Sequence, residues 1–324
     1  MGKKFFSWKV FLSQIIIYLV FFFLMKTGFI NSYWAGIIRL AFINIILVTS
    51  LNLATGFLGQ LTLAHSAFMA LGAYTSAIIT KYMPLPGFLE FGIGIILGGL
   101  VAMIIAYLIS IPAMKIAGNY LVITTLAVNE IIRNLIINLN IQGGESGCRG
   151  IPYYSNFTVV YIVAVIAIMS VYLVLDSKYG RAIVCIPQNE LLAKSCGIDT
   201  FHYKLFAFSA AAFYAGVAGA LYAHEITVIE PNMFDFGYSL ELLAMVIIGG
   251  LGNLNGSVIS AFLLTLLPYI FGFSEDIRII IHVVFMLLVI VFVPSSLFMR
   301  YRFLSKEFFD GIKKEIENLK KQGD

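Results

Sequence analysis

Apolar runs about twenty residues long follow one another along almost the whole chain, and nothing else in the sequence limits the fold so severely. A helix of roughly twenty apolar residues crosses a bilayer, and in hydrocarbon a helix satisfies every backbone N–H and C=O within its own segment. Of the 324 residues, 60% are hydrophobic and 12% charged, where a soluble domain carries about 25% charged residues; mean hydropathy is +0.94. The expectation is an all-α polytopic membrane protein with about ten transmembrane helices, some broken or short. Hydropathy places spans near 11–30, 33–53, 57–80, 88–111, 116–139 and 157–175, then near 205–227, 235–251, 255–273 and 277–298. Residues 1–300 form one transmembrane domain, followed by a tail, 301–324, in which Leu304, Phe308, Ile312, Ile316 and Leu319 recur at helical spacing opposite a charged face. Such a tail suits the surface of an anionic lipid leaflet. The N-terminal apolar run lacks a small-residue cleavage site and is expected to stay as the first span.

Between span six and span seven lies the longest polar run, residues 176–200, DSKYGRAIVCIPQNELLAKSCGIDT. Pro187 suits a first helical turn and Gly197 a left-handed closing residue, so a short helix is predicted between them. Leu191, Leu192, Ser195 and Cys196 then share one mostly apolar face. A helix this short is marginal alone, and it either rests on the membrane surface or sits in a groove of a cytoplasmic partner. Even numbers of spans on both sides of the run put it on the same side as both termini. Fifteen basic residues fall on that side and six on the other, which makes it cytoplasmic and leaves residues 140–156 as the longest external loop.

Two Gly-rich stretches interrupt the apolar runs, GFLGQLTLAHSAFMALGAY from Gly56 and GGLGNLNGSVISAF from Gly249. Each is read as opening a span with glycines, an amide (Gln60 or Asn253) and a leucine. Gly56, Gly59, Gly249, Gly250 and Gly252 therefore mark helix breaks, which membranes tolerate where backbone is enclosed by protein or lines a water-filled cavity. Polar residues inside spans are few: Asn44, Asn52, Gln60, His65, Asn129, Glu130, Arg133, Asn134, Asn138 and Glu241. Each is costly in hydrocarbon and is expected to face protein or water. Glu130 and Arg133, three apart, can neutralise one another. Helix-to-helix hydrogen bonding and a place on a translocation path are both open for this set.

The same reading excludes several functions. A net charge of +4 spread along the chain gives no nucleic-acid surface. No His or Cys stands at metal-ligand spacing to another, and no nucleophile is spaced with its base. The phosphate-cradling Gly-x-x-x-x-Gly-Lys-Ser/Thr pattern is missing, so an ATP-driven process would need a separate ATPase. No catalytic constellation stands out, and an enzyme is not expected.

Read together, GFLGQLTLAHSAFMALGAYTSA, Gly118-Asn119-Tyr120 with TLAVNEIIR, QGGESGCRGIP, YGRAI with NELLAKSCGID, YKLFAFSAAAFYAGVAGALYAH and SLELLAMVIIGGLGNLNGSVISAFLLTLLP resemble the LivM-type permeases of branched-chain amino-acid ABC importers. They run in family order from about residue 40 to 300. The resemblance implies a permease subunit of an ATP-driven importer for hydrophobic amino acids in the plasma (inner) membrane. It implies a second homologous permease, two cytoplasmic ATPases that hold ATP and Mg, and an extracytoplasmic binding protein, with no cofactor bound by this chain. By family position Gly180, Arg181, Asn189, Glu190, Ala193, Gly197 and Ile198 belong to the cytoplasmic coupling helix that docks into the ATPase. Gln60, His65, Glu130 and Glu241 fall where the family pattern is also polar. Departures are Val184, Pro187, Gln188 and Cys196 in the docking segment, and Ala64, Ser257 and GESGCRG elsewhere; they bear on substrate more than on family. Two alternatives stand beside this reading: a stand-alone ion-coupled transporter, and an ABC permease for another small polar substrate such as urea or an amide.

Overall fold

In the computed structural model each apolar run among the described residues is a helix. Residues 31–83, 87–114, 120–139 and 144–271 are described, with Tyr18, Phe23 and Val284. The spans expected near 11–30 and 277–298, and the tail 301–324, lie outside the described residues. Along the chain come α1 (Ser32–Asn52), α2 (His65–Tyr82), α3 (Gly87–Ala113), α4 (Tyr120–Leu139), α5 (Phe157–Asp176), two short helices α6 (Lys178–Cys185) and α7 (Glu190–Ser195), then α8 (Thr200–Ile226), α9 (Phe236–Gly249) and α10 (Leu254–Phe271). Among the described residues six helical segments are long and apolar enough to cross a membrane. The protein is an all-α multi-pass membrane protein.

α1 and α8 are buried along most of their length, and the other helices pack around them. Where α2, α3 and α8 cross, the contact is backbone to backbone. A Cβ on Gly72 would run into the Gly216 carbonyl, one on Gly98 would lie 2.8 Å from the Gly72 oxygen, and one on Gly216 would lie 2.6 Å from the Gly98 oxygen. Small residues bring helices this close in a bilayer, where association depends on van der Waals contact and hydrogen bonds. The outward faces of α3 and α4 carry exposed Leu, Ile, Phe and Tyr side chains, as lipid or a membrane-embedded partner requires.

The two ends of the bundle differ. At one end β1 (Cys148–Arg149) pairs antiparallel with β2 (Val228–Ile229), joining the loop after α4 to the segment after α8. At the other end sit α6 and α7. α8 connects the ends, and its 27 residues span about 40 Å at 1.5 Å per residue.

Three boundaries differ from the sequence expectation. α8 begins at Thr200 rather than near 205, because the Asp199 side chain accepts from the His202 N–H and caps it. α2 begins at His65 rather than near 57. Gly56 closes α1, inside a π-helical turn over Leu53–Phe57, instead of opening the next span, and residues 58–64 have no regular structure, with Gly59 and Leu61 exposed and residues 62–64 buried. Gly249 likewise closes α9.

Candidate functional site

The polar run folds into two helices, not one. Ser177 caps α6 by accepting from the Tyr179 and Gly180 N–H groups. Gly180 lies where α6 folds back on α5, and a Cβ there would strike the Val174 carbonyl and Leu175 backbone. Pro187 precedes the second helix and does not start it; Asn189 does, its side chain accepting from the Leu192 N–H at 3.0 Å. α7 closes with the Gly197 N–H bonded to the Lys194 carbonyl at 3.0 Å and the Ile198 N–H to the Ala193 carbonyl at 3.1 Å. These are the paired bonds of a Schellman ending, and they require the left-handed φ of +78° that Gly197 supplies.

The coupling residues expected from sequence are therefore brought together, but most face inward or hold the loop in shape. Ala193 is buried. Arg181 reaches back to the Asp176 carbonyl at 3.1 Å, and Glu190 turns towards α8. What the segment presents outward is Leu191, 76% exposed, and Leu192, 62% exposed, with Ser195 and Cys196 beside them.

The first helix break adjoins this segment, and the second adjoins the first. Gly59, with φ +74°, sits so close to the polar loop that an added Cβ would lie 2.7 Å from Pro187 Cβ. The second break, from Gly250 to Asn253, meets the first at Asn52. Asn52 Oδ1 accepts from the Gly252 N–H at 2.9 Å, while Nδ2 donates to Ser257 Oγ at 2.6 Å and to the Asn253 carbonyl at 3.3 Å. A Cβ on Gly56 would collide with Asn52 Oδ1 and the Gly252 nitrogen. Gln60 is half-buried next to this junction, its N–H bonded to the Ala54 carbonyl at 3.0 Å.

Deeper in the bundle the start of α2 meets the start of α9. His65 Nε2 lies 2.9 Å from Ser50 Oγ. The Ser66 N–H donates to Ser239 Oγ at 3.0 Å, and Ser66 Oγ donates to the Asp235 carbonyl at 2.8 Å. Asn129 Oδ1 is 3.3 Å from Ser66 Oγ, and Asn129 Nδ2 is buried with no hydrogen-bond partner among the described residues. Glu241 is buried two residues beyond Ser239. Glu130 points away from this cluster. It pairs with Arg133 at 2.9 Å, as the spacing predicts, and Arg133 reaches Asn232 Oδ1 at 2.8 Å.

Comparison with known proteins matches residues 33–294 to the family described as branched-chain amino acid transport system / permease component. The chain belongs to this permease family. It is similar to the high-affinity branched-chain amino acid transport system permease protein LivM of Escherichia coli (strain K12), 31% identical over 263 residues that cover 70% of this chain and 61% of that protein. It is also similar to the probable branched-chain amino acid transport permease protein LivH of Methanocaldococcus jannaschii, 25% identical over 66% of this chain and 70% of that one. The ribose import permease protein RbsC of Haemophilus influenzae is 24% identical over 70% of this chain and 72% of its own. The match to LivM spans 61% of the relative's length. No solved structure matches.

In the permease the site residues thus form two groups, the end with α6, α7 and the helix breaks, and an inner hydroxyl and amide cluster, with Glu130 apart from both. Sequence reasoning missed one intramembrane ion pair entirely. Neither Arg39 nor Glu225 was singled out, yet Arg39 Nε binds Glu225 Oε2 at 2.8 Å, and the pair ties α1 to the end of α8. Their charge inside apolar runs was the available signal. Lys204 was also passed over as a surface charge; its side chain is 10% exposed.

Proposed function

We propose that this chain is the transmembrane permease subunit of an ATP-driven importer for branched-chain, hydrophobic amino acids, lacking an ATPase motif of its own. The observation that carries the proposal is α7: this short helix is capped at both ends within the chain, and two leucines remain outward on the face that an ATPase groove would receive. ATP-driven closure of two cytoplasmic ABC ATPases, which hold ATP and Mg, would move this helix and rock the bundle between outward and inward access. A second homologous permease would complete the path, and an extracytoplasmic binding protein would deliver substrate. The permease would lie in the plasma membrane with α6, α7 and both termini cytoplasmic, following its excess of basic residues on that side. The names of the LivM and LivH relatives support the amino-acid substrate, and that of the ribose permease supports an importer of this class with another cargo.

The test is purification from native membranes in mild detergent, with mass spectrometry of what accompanies the chain, followed by uptake of radiolabelled leucine in proteoliposomes. Two ATPases and a second permease at comparable amounts are expected, and Leu191→Ser with Leu192→Ser should release the ATPases while the permease stays folded. Leucine uptake without ATP would refute the reading and favour an ion-coupled transporter. ATP-dependent uptake of a sugar or amide but not leucine would refute the substrate alone.

A further inference from the structure

Glu190 has been grouped with the residues that meet the ATPase, yet its carboxylate is occupied inside the chain. Oε2 accepts from Lys204 Nζ at 2.8 Å, and Oε1 accepts from Thr200 Oγ1 at 3.1 Å and Lys194 Nζ at 3.2 Å. Thr200 and Lys204 lie one turn apart at the start of α8, and the Lys204 side chain is 10% exposed. The six residues of α7 make fewer than two turns, far too few to hold a fixed pose by helical propensity. Its seat is therefore set by the bonds of Glu190 to α8, with Ala193 buried. With that side fixed, Leu191 and Leu192 point outward. α8 itself runs buried between α2 and α3 to Glu225, where Arg39 binds it to α1.

We propose that Lys204 is a positioning residue for coupling: by gripping Glu190 it makes the docking helix and the start of α8 one rigid piece, so that force on Leu191 and Leu192 moves α8. This rests on the importer reading. Lys204 touches neither nucleotide nor substrate; it acts through Glu190. A Lys at this depth without its carboxylate would be a desolvated charge, and α7 would then slide on α8 when pushed.

The experiment uses the whole importer, purified with its partners and reconstituted, and reads leucine uptake per ATP hydrolysed, co-purifying ATPase and melting temperature. In Lys204→Met the ATPases should still co-purify, because the leucines are untouched, and hydrolysis should persist while uptake per ATP falls about fivefold, the scale of one lost charge-assisted pair. Lys204→Arg should retain coupling, and the exchanged pair Glu190→Lys with Lys204→Glu should restore most of what either single change loses. A merely structural role would lower the melting temperature, uptake and hydrolysis together and leave their ratio constant; that result overturns the proposal. So does an exchanged pair no better coupled than its single variants, an outcome that remains readable if Lys204→Met fails to accumulate. Wild-type protein that brings no ATPase would instead refute the importer reading, and the coupling role with it.

Discussion

Replacing Asn52 by leucine tests whether one buried amide holds the two helix breaks together. The side chain is fully buried, and its three hydrogen bonds join α1 to the Gly250–Asn253 turn and to Ser257 on α10. Leucine has nearly the same volume, so the change removes bonding with little cavity. Interhelical hydrogen bonds in membrane proteins contribute about 0.6 kcal/mol each, so the two shorter ones together stabilise by about 1 kcal/mol. The Gly252 N–H then loses its acceptor. Leaving a buried donor unpaired costs about 1–3 kcal/mol, and because Gly252 is only half-buried the lower end applies. The sum is about 2 kcal/mol, or roughly 5 °C in melting temperature for a chain of this size. Thermal melts of the purified permease in detergent measure it. Ser257→Ala should cost less, since Asn52 Nδ2 keeps the Asn253 carbonyl, and the double variant should show a coupling of about 0.5–1 kcal/mol. An Asn52→Leu melt within about 1 °C of wild type, or strictly additive single changes, would refute the clamp.

Two further outcomes follow from charges that the fold encloses. Arg39→Gln alone or Glu225→Gln alone should destabilise by about 3–5 kcal/mol, since each leaves a buried partner uncompensated, whereas Arg39→Met with Glu225→Met together should recover most of it; folded yield on size-exclusion chromatography and thermal melts decide this. At Glu190, partial burial pushes the carboxyl up, but the hydrogen bond and charge of Lys204, with Lys194 and Thr200, outweigh it and hold the carboxyl below the usual carboxylate range. A lowered folded value means that the contribution is fully present above the ordinary carboxylate value of about 4.3 and fades as pH falls through the folded one. Amide exchange in α7, corrected for intrinsic rate, should therefore stay constant from neutral pH downward and quicken only below that range, and Glu190→Gln should remove the transition.

How much of this was legible in the sequence depends on how far apart the interacting residues lie. Spans were readable because hydropathy is a local average, and Glu130 with Arg133 because three residues on a helix are neighbours. The Arg39 and Glu225 pair bridges 186 positions and Asn52 reaches Gly252 across 200, so no spacing rule reports either. Within residues 176–200 two local signals competed. Pro187 suits a first helical turn, but Asn189 offers a side-chain acceptor to the Leu192 N–H, and the cap won, moving the helix start while Leu191, Leu192, Ser195 and Cys196 stay on the outward face.

The likeness between the two Gly-rich stretches was visible in sequence, while its geometry was not. Read alone, each stretch looks like the start of a span, because glycines precede a long apolar run. Both are in fact the ends of the preceding helices, α1 and α9. The reason is that backbone leaving a helix inside a bundle needs new partners for its freed polar groups. Here each break supplies what the other lacks: Asn52, just before the first, accepts the Gly252 N–H of the second and donates to the Asn253 carbonyl. Gly56 has no side chain because the Gly252 nitrogen fills that space. The first break also abuts Pro187 through Gly59, so the polar segment with α6 and α7 rests directly on the irregular backbone that leads to Ser66, Asn129 and Ser239. A displacement of that segment thus meets the bundle where its helices are already interrupted, and there the regular hydrogen-bond ladder gives least resistance to a change of angle.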